Sequence, residues 1–407
     1  MVSNQQVKFE RVPVTQYLRI LIPCPISGFP LTYLSSTPEI ANFVSRPNRF
    51  VVTCRLDGRE TTAYLPNPGR LSEILLPDTR LWLTRSDNPK RKLAHSVFAA
   101  EHEGERICLD THLANRIAAD LINSDRVPGL EGARVVASEV RSGHSRFDLV
   151  ILHRGRKRWV EVKSCTMFGN RVAAFPDAVT SRGRRHLTEL AALSAAGNRP
   201  IVLFIIHTQQ VDFFYPDYHT DLAFSLSFLE HRHALEILPI AITWDKCGRI
   251  VAPPSRLVVP WEYLKQEVSD QGGYLMLLQL SKTRQISVGK LRNWVAQPGW
   301  YVYVGSAMRA LSTRLERHAR LRKKMHWHID YLRAAADRVI PLAIRSSRRE
   351  ECDIATAMSH ILSPGLKGFG SSDCDCPTHL YFSSNNPMEN RFFHEAVQSF
   401  RLRPPTN

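Results

Sequence analysis

Polar and apolar residues alternate most clearly at Arg146-Phe147-Asp148-Leu149-Val150 and at Trp159-Val160-Glu161-Val162-Lys163-Ser164, the period-two pattern of half-buried strands. The polar, basic stretch between them contains Gly155 and predicts a hairpin turn. With the turn centred on Arg154-Gly155, Asp148 falls directly opposite Glu161, and opposed residues project from one face with Cβ atoms about 4.5–5.5 Å apart. Lys163 shares that face, while Val160 and Val162 point into the core. Between Gly183 and Ala196, Leu187, Leu190, Ala191 and Leu193 recur at helical spacing, with Gly197 as a stop. The run Ile201-Val202-Leu203-Phe204-Ile205-Ile206 is apolar throughout, as a strand covered on both faces must be. Hairpin, helix and buried strand predict an α/β core.

Upstream, from Phe50 to Leu83, short strands are punctuated by Asp57-Gly58 and Asn67-Pro68-Gly69, which suits a small β-barrel. Downstream, Pro253-Pro254, Pro260 and Asp270-Gln271-Gly272-Gly273 break regular structure and place a domain boundary near residue 268. Two further strands are predicted, at Gly273–Leu278 and Trp300–Gly305. A helix follows over Arg309–Arg322, with Leu311 and Leu315 on its apolar side and Arg314 and His318 stacked i to i+4. The expected organisation is an irregular extension over 1–36, a barrel over 37–110, an α/β domain over 111–267, a small α+β module over 268–385 and a fraying tail over 386–407.

Charge changes the picture. The chain has 407 residues, a formal net charge of +16 and a pI near 9.7. That balance favours a polyanionic partner. Between Arg309 and Arg349 there are 12 Lys and Arg against 3 Asp and Glu. No basic amphipathic helix with a long apolar face accompanies them, so nucleic acid is the expected partner and a membrane is not. Eight cysteines lack a disulfide-scaffold spacing, and no stretch of about 20 apolar residues occurs, so a cytoplasmic protein is expected. Oligomeric state is not legible.

Two carboxylates and a lysine on one sheet face suit a hard divalent cation, Mg²⁺ or Mn²⁺, with the lysine holding a water or stabilising a phosphate. This Asp…Glu-x-Lys order resembles the PD-(D/E)XK nucleases. The surrounding words resemble the sugar fermentation stimulation protein A (SfsA) family. They are Arg46-Pro47-Asn48-Arg49-Phe50, Pro66-Asn67-Pro68-Gly69-Arg70-Leu71, Ser86-Asp87-Asn88-Pro89-Lys90-Arg91-Lys92, Ser145-Arg146-Phe147-Asp148, Glu161-Val162-Lys163-Ser164 and Phe175-Pro176-Asp177-Ala178-Val179-Thr180. The resemblance, over about residues 37–265, implies an OB-like barrel followed by a PD-(D/E)XK restriction-endonuclease-like domain that binds DNA. Asp148, Glu161 and Lys163 are then the expected catalytic residues. Glu139 matches a further acidic position and joins Asp148 and Glu161 as an expected metal ligand. Arg49, Arg70, Lys90, Arg91, Arg182, Arg184 and His186 are expected to meet nucleic acid, although solvated loop charge accounts equally well for Lys90-Arg91-Lys92.

The last module resembles the GIY-YIG endonucleases. Gly272-Gly273-Tyr274 and Tyr303-Val304-Gly305 match the two motifs, with Gly where many members carry Ile. The resemblance implies Tyr274 as base or water-positioner supported by Tyr303 and His318, Arg314 as phosphate clamp, and Glu351 as metal ligand. Glu350 and Asp353 compete for that last role. Cys374, Cys376 and His379, joined by Cys352, invite a zinc reading. Their spacing is tighter than Cys-x2-Cys frames, so buried thiols are the expectation and zinc is not. The function expected is a metal-dependent endonuclease with two sites. The alternative is a non-enzymatic DNA-binding regulator of sugar-utilisation genes.

Overall fold

The computed structural model describes residues 30–405, apart from 35, 87–89, 143–144, 195–198 and 292. Most of the expected 1–36 extension, Asp87-Asn88-Pro89 and the helix stop at Gly197 therefore lie outside the described residues. The described end of the extension is not irregular. Leu31–Thr32 pairs antiparallel with Arg249–Ile250, and Tyr33 is buried with its ring 5.6 Å from that of Trp244.

The first module is a closed barrel. Around it the strands run in the order Arg59–Tyr64, Val51–Leu56, Glu39–Asn48, Arg80–Arg85, His95–His102. Closure comes from a parallel pairing of Ala63 and Tyr64 with His95 and Ser96. Alternation fills the interior with Ala41, Phe43, Val52, Cys54, Ala63, Leu81, Leu83 and Val97.

The second module is built on a six-stranded sheet. Its order is Ser255–Arg256, Glu236–Ala241, Ile201–Ile206, Arg156–Cys165, Ser145–His153, Arg134–Ser142. The three strands Glu236–Ala241, Ile201–Ile206 and Arg156–Cys165 are parallel, and Ile201–Ile206 is wholly buried, as its apolar run predicts. Helix α1 (Ala114–Asn123) covers one face through Ile117, Leu121 and Ile122. Helices α2 (Ser181–Ala192) and α3 (Leu222–Glu230) cover the other through Leu187, Leu190, Phe224 and Phe228. Helix α2 starts where the Thr180 hydroxyl accepts from the Gly183 N–H.

Helix α4 (Trp261–Glu267) leads into the third module, an antiparallel sheet ordered Arg338–Arg345, Gly272–Leu280, Gly299–Ala307, Leu380–Ser383, Ser363–Pro364. Strand Gly272–Leu280, paired on both sides, alternates strictly. Tyr274, Met276 and Leu278 face helices α5 (Leu311–Ala319) and α6 (His328–Ala335). Leu275 and Leu277 face helices α7 (Glu351–Ser359) and α8 (Arg391–Arg401). The tail expected to fray is thus largely helical. Phe393 and Val397 of α8 are buried against the sheet, and Asn390 caps its N-terminus by accepting from the Phe392 and Phe393 N–H groups.

That helix also joins the third module to the second. The His219 imidazole is buried, with Nδ1 accepting from the Arg345 N–H at 2.8 Å and Nε2 donating to the Arg401 carbonyl at 2.8 Å. The Arg401 guanidinium in turn reaches Asp217 at 3.2 Å and the Thr220 hydroxyl at 2.6 Å. Burial, then the Arg401 charge, holds His219 well below the ordinary histidine pKa. A proton on Nδ1 would remove the acceptor that Arg345 uses. The separated or unfolded chain binds that proton more tightly, so the joint is fully stable above pH ~6.5 and weakens as pH falls below it, at up to about 1.4 kcal/mol per pH unit. Hydrogen exchange at the Arg345 amide is expected to accelerate between pH 7.5 and 5 after correction for intrinsic rates. His219→Gln should flatten that dependence, and an unchanged profile in the variant would remove His219 as its cause.

Candidate active sites

In the hairpin, Arg154 and Gly155 both adopt positive φ, 52° and 72°, the two-residue turn whose twist matches the strands. This sets the register Arg156↔His153 through Val160↔Leu149. Carried one step further it brings Glu161 opposite Asp148, as the alternation predicts. The hydrogen-bonded ladder, however, stops at Val160↔Leu149. The Val162 N–H donates instead to Asp148 Oδ2 at 2.8 Å. Two carboxylates directly opposed repel each other, and the strands part where that repulsion begins. On the other side, Ser138↔Leu149 and Val140↔Phe147 bracket Glu139, so it falls opposite Asp148. Three neighbouring strands thus carry three carboxylates in one row.

Each carboxylate has different support. Asn115, on α1, donates through Nδ2 to Asp148 Oδ1 and to Glu139 Oε1, both at 2.9 Å. Glu139 is exposed and also pairs with Arg146 at 2.7 Å. Glu161 is 3% exposed, and its Oε1 accepts from Lys163 Nζ and His186 Nδ1, both at 2.5 Å. Arg182 Nε donates to His186 Nε2 at 3.4 Å, which fixes the imidazole with its proton on Nδ1. The other oxygen of Glu161, Oε2, is buried with no hydrogen-bond partner among the described residues. Burial, and then the charge of Glu161, raises the Asp148 pKa. Burial also opposes ionisation of Glu161, but His186 and Lys163 outweigh it and hold that carboxyl below its usual range. An unpartnered buried carboxylate oxygen beside a second, strained carboxylate fits a hard cation, which would supply the missing positive charge.

The third module gathers its own residues. Tyr274 lies opposite Gly305 across the sheet, and a Cβ on Gly305 would sit 2.4 Å from the Tyr274 hydroxyl. The glycine of the second motif therefore makes room for the tyrosine of the first. The Tyr274 ring lies 6.2 Å from Tyr303 and 5.7 Å from His318. Burial pushes the Tyr274 phenol up while the Arg314 guanidinium beside it pulls down. Tyr274 therefore stays protonated and suits water positioning better than base chemistry. Burial also pushes His318 down to about 4. Arg314 stacks over the Trp327 ring at 4.9 Å. Glu351, at the start of α7, accepts from the Ser306 hydroxyl and lies 3.1 Å from His379 Nδ1. Its rivals are elsewhere: Glu350 pairs with Arg403, and Asp353 is exposed.

Other expectations fare differently. Arg49, Arg70, Lys90, Arg91, Arg182 and Arg184 are exposed, as a nucleic-acid surface requires. His186 is not on that surface; it is 4% exposed and engaged with Glu161, because a helix start aimed at a buried carboxylate carries it inward. The reading of Cys374 and Cys376 as buried thiols also fails. Both are only half-buried, and Cys352 is exposed.

The comparisons with known proteins follow this division. Residues 44–109 match the SfsA N-terminal OB domain, and residues 112–248 match the sugar fermentation stimulation protein RE domain. A sugar fermentation stimulation protein homolog from Methanothermobacter thermautotrophicus is 32% identical over 226 residues, 55% of this chain and 94% of that protein. The chain belongs to the sugar fermentation stimulation protein family. A homolog from Moorella thermoacetica is 40% identical over 192 residues, 47% of this chain and 83% of that protein. A solved structure of Pyrococcus furiosus SfsA in complex with Ca²⁺ superposes with a TM-score of 0.52 at 28% identity, covering 57% of this chain and 99% of that one. Residues 273–402 match a domain of unknown function, DUF123.

Sequence reasoning missed Asn115 and Asp330. Asn115 carries no motif of its own. Asp330 lay in the word His326-Trp327-His328-Ile329-Asp330, yet it organises the α5–α6 corner. Fully buried, it accepts from Arg317 at 3.1 and 2.9 Å and from the His326 and Trp327 N–H groups, both at 3.0 Å. Lys323 Nζ lies 3.0 Å away. Burial alone would raise its pKa, but these donors hold it well below the usual range. Asp330→Ala is expected to cost about 3–5 kcal/mol of stability by leaving Lys323 and Arg317 uncompensated, read as a drop in the urea midpoint. A loss under 1 kcal/mol would mean that the corner does not depend on this carboxylate.

Proposed function

We propose that the chain is a nucleic-acid-binding, divalent-metal-dependent endonuclease with two phosphodiester-cleaving sites. The first, of PD-(D/E)XK type, uses Asp148, Glu161 and Lys163. The second, of GIY-YIG type, uses Tyr274, Tyr303, Arg314, His318 and Glu351. The observation that carries the reading is the unpartnered, buried Glu161 Oε2 beside Asp148, whose pKa is raised by burial and then by the charge of Glu161. The relative solved with Ca²⁺ supports a cation at the corresponding module of this chain.

At the first site, Asp148 and Glu161 hold the cation, with Glu139 completing the row. Mg²⁺ or Mn²⁺ held there would neutralise the charge of the phosphate. Lys163, half-buried beside Glu161, holds the attacking water or stabilises the charge developing on the phosphoryl oxygens. His186 keeps Glu161 ionised and aimed. Exposed Arg182 and Arg184 at the start of α2 meet the flanking phosphates, joined by Arg49, Arg70, Lys90 and Arg91 from the barrel side. At the second site Arg314 clamps the phosphate with its planar fork. Tyr274 and Tyr303, as neutral phenols, position the water, and Glu351 holds the cation.

The test is cleavage of single-stranded, duplex and branched DNA and RNA with EDTA, Mg²⁺ or Mn²⁺. Asp148→Ala is expected to cost at least about 10²-fold at the first site, and Arg314→Ala a similar factor at the second. Activity lost in only one variant would leave the other site a gripping surface. Salt-sensitive binding with no cutting in any protein would replace the nuclease by a DNA-binding regulator.

A further inference from the structure

One cluster of side chains is used by neither proposed site. Cys352 sits in the first turn of α7, while Cys374, Cys376 and His379 come from the loop that leads into Leu380–Ser383. One ligand atom from each of the four lies within 4.8 Å of all the others. Cys374 Sγ is 3.4 Å from His379 Nε2. Around a tetrahedral zinc ion, with bonds of about 2.3 Å to sulfur and about 2.1 Å to nitrogen, ligand atoms stand roughly 3.6–3.8 Å apart. Disulfide bonding would require about 2.05 Å between sulfurs, and these cysteines are free.

The imidazole is also set for the task. His379 is buried, and its Nδ1 lies 3.1 Å from Glu351 Oε1, where an Nδ1–H donates to the carboxylate. That leaves the Nε2 lone pair facing Cys374. A histidine ligand oriented by a carboxylate through its second nitrogen is the usual outer support of a metal centre. Chain spacing hid the site because the fourth ligand, Cys352, comes from a different element.

We propose that Cys352, Cys374, Cys376 and His379 bind a structural Zn²⁺ that ties the loop before Leu380–Ser383 to the first turn of α7. Three thiolates and an imidazole form a closed, soft donor set that excludes Mg²⁺ and Ca²⁺, which take oxygen. The site also fixes Glu351 through His379. Only this last consequence rests on the nuclease reading; the metal site does not.

The experiment measures metal in the full chain purified without chelator. Stoichiometric zinc is expected by mass spectrometry of the elements, released on thiol modification in the presence of a colorimetric zinc indicator. Loading with Co²⁺ should give thiolate charge-transfer and tetrahedral ligand-field bands in the wild type. Cys374→Ser with Cys376→Ser should lose both signals. Arg314→Ala should keep them whatever happens to cleavage, so failure of the nuclease reading stays separate from failure of this one. Zinc at the level of the double variant, no thiolate–cobalt bands in the wild type, or a Cys374–Cys376 disulfide under reducing purification would overturn the proposal.

Discussion

The register of a single hairpin decides where the charge of the second module goes. Because side chains alternate with a period of two, a slip of one residue would put Val160 and Val162 where Glu161 and Lys163 now lie, and would bury the charges in the apolar layer under α1. Arg154 and Gly155 prevent that by adopting the positive φ values a two-residue turn demands. The same register gathers Glu139, Asp148 and Glu161 into one row, and the ladder yields where that row becomes repulsive. The Val162 N–H, left over when the strands part, is not wasted, since Asp148 accepts it. Local loss of sheet pairing and local stabilisation of a carboxylate are therefore one event.

A site built this way is costly in the absence of a cation, and the molecule distributes the cost. Lys163 and His186 share one oxygen of Glu161, Asn115 braces Asp148 against Glu139, and Arg146 holds Glu139 from solvent. The supports come from a strand, two helices and a neighbouring strand, so the constellation depends on the whole α/β core being packed. The joint at His219 extends that dependence to the third module, because its two nitrogens are used up between Arg345 and Arg401. Both proposed sites are thus carried on one connected scaffold.

Features carried by local pattern were legible in the sequence. The hairpin, the apolar strand Ile201–Ile206 and the helix carrying Arg314 and His318 each declare themselves within a few residues, by period or by turn chemistry. The barrel was readable as short strands, but its closure was not, since the pairing of Ala63 with His95 joins segments with no shared local signal. Helix α8 was missed although Phe393, Ala396, Val397 and Phe400 recur at helical spacing, because the basic, proline-rich stretch from Arg401 to Pro405 marked the segment as a fraying tail. His186 was read as a surface cation since its neighbours Arg182, Arg184 and Arg185 are; only the three-dimensional placement of Glu161 shows that one member of that basic run turns inward.

The two proposed sites solve one electrostatic problem in opposite ways. In the first, acidic groups dominate, and positive charge must arrive with the cation before a phosphate can approach. In the second, Arg314 stands beside neutral phenols and a histidine held neutral by burial, so the protein itself presents positive charge, with Glu351 close to the same phenols. The first site should therefore depend steeply on cation concentration, because its carboxylates repel both each other and the substrate until they are neutralised. The second should depend less on cation and more on the guanidinium. Salt will weaken both by screening the arginines that draw the phosphate in.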